Sequence, residues 1–474
     1  MRVVVFLAIL YKIHAFLSCL NDAGVAVDHW TGIKGNNNDT MYYYDDTTDL
    51  FKLSKYTVSQ TVQGAIMATI APLYDVPGNR SMAYVLYNDA PPGDYNPSST
   101  YAHSKGILVT DGTQGFWLTH SMPNWPDSPL LNNTPGIFPS YKYAQSMACV
   151  TLSAASVNQA ANTMRINYPY IYASNMPSNL EKQQNWMHAL ISKTHITNLT
   201  ASNDLTSLGG VPYIQFAKSK AWNMDLWDDL VAPYYKTPMY VETWISGSGG
   251  AMSSICAVNS SFPDKKSNEA YDIYEVARIQ MPDGNDWDNT QDHSKWGIAK
   301  ATEIGNPTVF HSTVACIGDI NRMCSQEKRG GGALCTQNAG LLNAFVDIIA
   351  GVEPCYLKDP CAGSGGSKCY WCPITPPPSP TPAPASAPTP TAPSDQGSYL
   401  FNLSDPKEYI GVIVGIALSA LLLIGGIYYY QRRQRRKAGT LASKDHLTGS
   451  TEDGDFSRSK SLEVDPHGAR SPVK

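Results

Sequence analysis

Between Tyr409 and Tyr430 the chain runs for 22 residues without a charge, through Ile, Leu, Val, Gly and Ala. At ~1.5 Å per residue a helix of that length reaches roughly 33 Å, enough to cross the hydrocarbon core of a bilayer. Tyrosines stand at both ends, and Arg432, Arg433, Arg435, Arg436 and Lys437 follow at once. Positive charge stays cytoplasmic, so residues 409–430 are expected to form a single transmembrane helix with the N-terminal bulk outside. Gly411 and Gly415 form a small-xxx-small pair, which leaves monomer and homodimer both open. A chain built this way must place its folded domain before the span.

The flanking segments agree. Residues 1–18 carry Arg2, then VVVFLAIL, then small and polar residues, the pattern of a secretory signal. Asn38, Asn79, Asn132, Asn198, Asn259 and Asn402 each open an Asn-x-Ser/Thr sequon, and all precede the span. Residues 373–408 begin as a Pro/Thr/Ser/Ala-rich run that suits an extended stalk, and residues 431–474 have the polar composition of a disordered tail. A single-pass membrane protein is expected, its head (residues 19–372) luminal, in a lysosome or endosome, or extracellular.

Within the head, SMAYVLYN, GILVT, GFWLTH, PYIQFAK and PMYVETWI are apolar runs suited to strands, while KQQNWMHALISKTH and GLLNAFVDIIAGV are amphipathic. That mixture predicts an α/β or α+β domain. One tripeptide occurs twice: His103-Ser104-Lys105 and His293-Ser294-Lys295. In a strand, residues two apart share a face, so each copy could present an imidazole beside an ammonium. The copies lie 190 residues apart, which suggests a duplication with halves of about 19–180 and 181–355.

The head carries a net charge of −9 with its histidines neutral, so a polyanion would be repelled overall near neutral pH. Protonating its seven histidines removes most of that excess, and a polyanionic partner would therefore favour an acidic compartment.

Further segments narrow the reading: CLNDAGVAVDHW, AYVLYNDAPP, HSKG with FWLTHSMPNWP, YPYIY, DHSKW, GDINR and RGGGALC, in that order from Cys19 to Cys355. Together they resemble the deoxyribonuclease II family of acid endonucleases. The resemblance implies a phospholipase D-like pseudo-dimer, two sheet-and-helix halves sharing one cleft, which cuts double-stranded DNA without a metal cofactor and leaves 3′-phosphate ends. Matched by motif, His103 and Lys105 form one half-site, His293 and Lys295 the other, and His120 is a third required histidine. One neutral imidazole would attack phosphorus to form a phosphohistidine, and the opposing imidazolium would protonate the leaving 5′-oxygen. The lysines would stabilise the pentacoordinate oxyanion. His103 is taken as nucleophile and His293 as acid, with the near-symmetry leaving the reverse open.

Asn321, Arg322 and Arg329 are candidates for substrate binding, with the alternative of a braced structural loop. The acid six residues after Lys105, Asp111, fits a complete His-Lys-Asp triad poorly. The family's disulfides map to Cys19–Cys149, Cys256–Cys355 and Cys316–Cys335; Cys324, Cys361, Cys369 and Cys372 fall outside that pattern. Trp222, Trp227, Trp244 and Trp287 could stack on bases or fill the core. The membrane anchor departs from the family, and a catalytically inactive surface-binding protein stands as the rival reading.

Overall fold

The computed structural model describes residues 17–354 apart from 46, 49, 59–62, 76–80, 94–98, 137–141, 248, 256–270 and 301–311. The expected span, stalk and tail, most of the expected signal, Cys256, Cys355, Cys361, Cys369, Cys372 and the sequons at Asn79, Asn259 and Asn402 lie outside the described residues. Among the described residues no helix is long and apolar enough to cross a membrane. Leu17 is buried and its carbonyl accepts from Gln114 Nε2 at 3.0 Å, so the described chain is already packed at that residue.

A short ribbon, β1 (Cys19–Leu20) with β2 (Ala26–Val27), precedes two large sheets. The first is built from β3 (His29–Lys34), β4 (Met41–Asp45), β5 (Lys52–Leu53), β6 (Ala83–Asn88), β7 (Lys105–Thr110), β8 (Gln114–His120), β9 (Gln145–Ser153) and β10 (Ile171–Asn175). Its spatial order is β10-β6-β7-β8-β9-β3-β4-β5. The second uses β11 (Thr200–Thr206), β12 (Pro212–Lys218), β13 (Met239–Thr243), β14 (Ile273–Gln280), β15 (Asp286–Asp288), β16 (Lys295–Ala299), β17 (Val314–Gly318), β18 (Gly331–Gln337) and β19 (Ile349–Val352). Its order is β11-β12-β18-β17-β16-β13-β14-β15, with β19 against β14. Among the described strands only β13 and β14 pair in parallel. The fold is therefore sheet-rich α+β, and few helices are needed because antiparallel neighbours require no helical crossover.

The same core recurs in both sheets: β6-β7-β8-β9-β3 in the first and β13-β16-β17-β18-β12 in the second. The register matches too, with Asn88 opposite Lys105 in one half and Thr243 opposite Lys295 in the other. The two sheets thus share one strand order and one register around their His-Lys strands, although the rest of the two halves does not align by eye.

Burial accounts for the packing. Ile33, Tyr42 and Ala148 of the first sheet share one apolar cluster with Trp296, Cys316 and Ile317 of the second. Helix α1 (Gly64–Ile70) covers the outer face of the first sheet with Ile66, Met67 and Ile70. Helix α2 (Ala154–Asn167) starts where Ser153 caps it by accepting from Ser156 N, and lays Val157, Ala160, Ala161 and Met164 over strands of both sheets. Helix α3 (Asn185–Ile191) contributes Met187 and Leu190 to the same cluster. Helix α4 (Ala339–Ile348) sets Phe345 against Phe51 and Trp296, linking the sheets on the other side. Cys19–Cys149 and Cys316–Cys335 are bonded, one within each half.

Candidate active site

Both His-Ser-Lys copies sit at the entry of a strand rather than within it: Lys105 opens β7 and Lys295 opens β16, with each histidine just before. There the backbone of each histidine is free to pair elsewhere, and each pairs with the other half. The His103 N–H donates to the Gly330 carbonyl at 2.9 Å, and the His293 N–H to the Ala144 carbonyl at 2.8 Å. The two imidazoles meet edge to face, ring centroids 6.4 Å apart at 88°.

Around His103 the chemistry is an ion cluster. Asp89, one residue past β6, is bound by Lys105 Nζ, lies 3.6 Å from His103 Nε2 and accepts from Arg329 at 3.0 Å. Burial pushes the Asp89 carboxyl up, but Lys105, His103 and Arg329 together overcome it and hold it well below the usual carboxylate range. Arg329 also donates to the carbonyls of Tyr101 and Ala102, so the second half braces the chain leading into His103.

Around His293 the partners are different. Its Nδ1 lies 3.0 Å from the Ser121 carbonyl, 3.2 Å from Gln145 Oε1 and 3.3 Å from Lys295 Nζ; the two oxygens favour a proton on Nδ1, which leaves the lone pair of the neutral ring on Nε2. Lys295 Nζ donates to the His293 carbonyl at 2.6 Å, and Lys295 N to Ser146 Oγ at 3.0 Å. Burial and the nearby Lys295, Lys105 and His103 hold the His293 ring well below its usual titration range. His103 is pushed down by burial as well, but Asp89 opposes the shift.

His120 ends β8 and lies at the register position across from Lys105. It is buried, its Nδ1 accepts from Met122 N at 3.2 Å, and its edge faces Trp125 at 5.1 Å. Burial and Lys105 press its ring down to about 3, so it is neutral in any working range. In the second half the matching position is Gly318, by the Trp296–Ile317 register, so the third histidine has no counterpart. Asp319, next in the chain, feels both lysines, yet burial pushes its carboxyl up to about 7.

The other sequence candidates separate. Arg329 is in the cluster. Arg322 is not: it is fully buried, donating to Glu275 Oε1 at 2.8 Å and to the Ser253 carbonyl, with Asp225 at 3.8 Å, which makes it a core cation. Asn321 is buried beside it in sequence with an unpartnered Oδ1. Asp111 turns the β7–β8 hairpin, accepting from Thr113 N and Gln114 N, at the far end of the strand from Lys105. Gly330 and Gly332 do permit close approach, but to the carbonyls of Asn167 and Phe216. Cys324 is disulfide-bonded, and its partner lies outside the described residues, since the other described cysteines pair among themselves. Trp227 and Trp287 are core, the latter donating to Asp292, whereas Trp244 is half-buried beside His293. Asp89, Ser121 and Gln145 carry no signal of their own in the sequence; only strand register brings them in.

A profile described as Deoxyribonuclease II matches residues 18–355, most of the chain. The chain belongs to the deoxyribonuclease II family. Among its relatives are Plancitoxin-1 of Acanthaster planci, 31% identical over 66% of this chain and 82% of that protein, and Deoxyribonuclease-2 of Caenorhabditis elegans, 30% identical over 72% and 95%. Deoxyribonuclease-2-beta of Mus musculus is 29% identical over 69% and 90%. Membership makes this deoxyribonuclease II-type chain a hydrolytic nuclease with DNA as its substrate.

Proposed function

We propose that this deoxyribonuclease cuts the DNA backbone through a phosphohistidine, with His293 as nucleophile and His103 as proton carrier, and leaves 3′-phosphate ends. The observation that carries the reading is the pair of facing imidazoles 6.4 Å apart. A phosphorus ~3 Å from one ring nitrogen, with its leaving oxygen ~3 Å from the other, spans about that distance. The roles are the reverse of those suggested by sequence, for an electrostatic reason. His293 presents a lone pair at Nε2 and faces ammonium groups, which suits attack by a neutral ring. His103 has a carboxylate at 3.6 Å, which favours its charged form.

His293 Nε2 bonds to phosphorus as the 5′-oxygen departs with the proton of His103. His103 then takes a proton from water, whose oxygen displaces His293 and completes the 3′-phosphate. Lys105, Lys295 and Arg329 supply the positive charge that the developing oxyanion requires, the work a metal ion performs in other nucleases. Because burial depresses both histidines, His103 holds a proton only when the medium is acidic or when a bound phosphate raises its affinity, so the rate should climb as pH falls.

The uncharged run at 409–430 and the basic cluster after it favour a single-pass anchor that keeps the nuclease head on the luminal or extracellular side. The sequons at Asn132 and Asn198 are exposed, as glycan acceptors must be.

The test is plasmid nicking from pH 4 to 8 in EDTA, beside His103→Ala and His293→Ala. Acid-favoured cutting lost in both variants supports the site. A phosphorylated imidazole trapped by acid quench should map to residue 293. A folded head that does not cut returns the rival reading of an inactive binding protein, and cutting that requires magnesium removes the metal-free chemistry.

A further inference from the structure

The matching registers of the two halves put Asp89 and Trp244 at equivalent places, each one residue past the strand that pairs with its His-Lys strand. Each lies against the histidine of its own half, yet one is an anion and the other an indole. Trp244 is half-buried, with its ring 5.3 Å from His293 at 58°. Tyr143 packs edge-on against it at 4.4 Å, and the exposed Lys142 holds its ammonium 4.9 Å from the Tyr143 ring. Trp30, Trp125, Trp227 and Trp296 by contrast are fully enclosed. A partly open indole fixed by a neighbouring aromatic ring, touching a catalytic imidazole and flanked by a cation, has the parts of a stacking platform for a nucleobase with an adjacent phosphate.

We propose that Trp244, held by Tyr143, is the base-binding subsite of this nuclease and takes the unpaired base of the nucleotide on the 5′ side of the cut. The inference rests on the two-histidine reading. The leaving nucleotide departs toward His103, so the nucleotide that keeps the phosphate is the one on the His293 side. A base inside a duplex has both faces covered by its neighbours, so stacking on Trp244 requires it to swing out. The platform thereby selects DNA that is nicked, frayed or locally opened, and the tryptophan sets both affinity and cut-site preference.

The experiment uses single-stranded oligonucleotides with one cleavable phosphodiester among methylphosphonate linkages, carrying an abasic residue on the 5′ side, on the 3′ side, or nowhere. Wild type, Trp244→Ala, Trp244→Phe and, as a control, Trp186→Ala are compared at acid pH; Trp186 is exposed on α3 beneath Arg165. Loss of the 5′-side base should raise the wild-type KM about tenfold or more, the scale of one base stacked on an aromatic ring. Trp244→Ala should show the same rise on the intact strand and no further rise on the abasic one, with Trp244→Phe recovering most of the loss. Trp186→Ala should match wild type. Wild type indifferent to the 5′-side base, or sensitive only to the 3′-side base, overturns the placement, and this arm needs no variant to fold. A wild-type enzyme that cuts none of the strands or the plasmid fails the underlying reading instead.

Discussion

Asp89→Asn should unbalance the site in two measurable ways. Among the described residues the carboxylate is the one anion shared by Lys105, His103 and Arg329, and its side chain is only 11% exposed. At 3.6 Å and an effective dielectric of ~20, its attraction for a His103 imidazolium is about 4–5 kcal/mol. Solvent and the opposing lysines reduce that figure, but a third of it still corresponds to roughly one pH unit. The amide keeps the shape and loses the charge, so the acid needed to protonate His103 increases. The activity profile of Asp89→Asn should therefore move at least about one pH unit to the acid side. The same change leaves Lys105 and Arg329 close together without a counter-charge, which should lower stability by about 3 kcal/mol. Nicking rates across pH 3.5–7 and urea unfolding at one pH read the two effects separately. An unchanged pH profile in a destabilised variant would refute the electrostatic role and leave Asp89 as a brace between the halves.

His120→Asn should lower kcat by about ten- to a hundredfold while preserving the shape of the pH profile, because a ring pressed down to about 3 is neutral throughout; a displaced profile would show that it carries a proton. Replacing Cys316 and Cys335 together by Ser opens a loop of 19 residues and should lower the urea-unfolding free energy by roughly 3 kcal/mol, and an unchanged value would assign that stability to the β17–β18 ladder alone. Asp319, Asp292 and Glu242 have folded carboxyls raised above their unfolded values by burial, so the native state binds protons first and gains stability as pH falls from about 7 toward ~4. The depressed histidines act oppositely below ~6.5 and the depressed Lys34, Lys218 and Lys295 toward alkaline pH, so the test is Asp319→Asn. It should lose the part of the wild-type difference in thermal stability between pH ~6.5 and pH ~8 that this acid supplies, and an unchanged difference would contradict its burial.

The strands that carry the site were legible because their apolar runs are short and dense, as in AYVLYN for β6 and GILVT for β7. Helix α2 left little trace: AASVNQAANTMRIN is rich in Ala and Asn, so its buried stripe is made of small residues that look like any polar segment. The Gly-rich start of β18 resembles a loop until one sees that only glycine lets it pass the Phe216 backbone. The two histidines and lysines could be found because the tripeptide repeats. Asp89 could not, since it lies 14 residues before His103 and only the Asn88–Lys105 register brings it there. Arg322 misled for the converse reason: an arginine in GDINR looks like a phosphate ligand, and nothing in the string reveals that Glu275, 47 residues away, already holds it.

The backbone bonds that tether His103 to Gly330 and His293 to Ala144 run in opposite senses between the halves. Each half thus holds the other's histidine, and on the two-histidine reading neither carries a finished site of its own. Loosening either half releases both histidines together, so nuclease activity reports on the integrity of the entire head rather than on one lobe. While the chain is being made, the first half emerges with His103 still lacking its carbonyl and its arginine. On the two-histidine reading the site stays incomplete until Arg329 and Gly330, at the entry to β18, are in place.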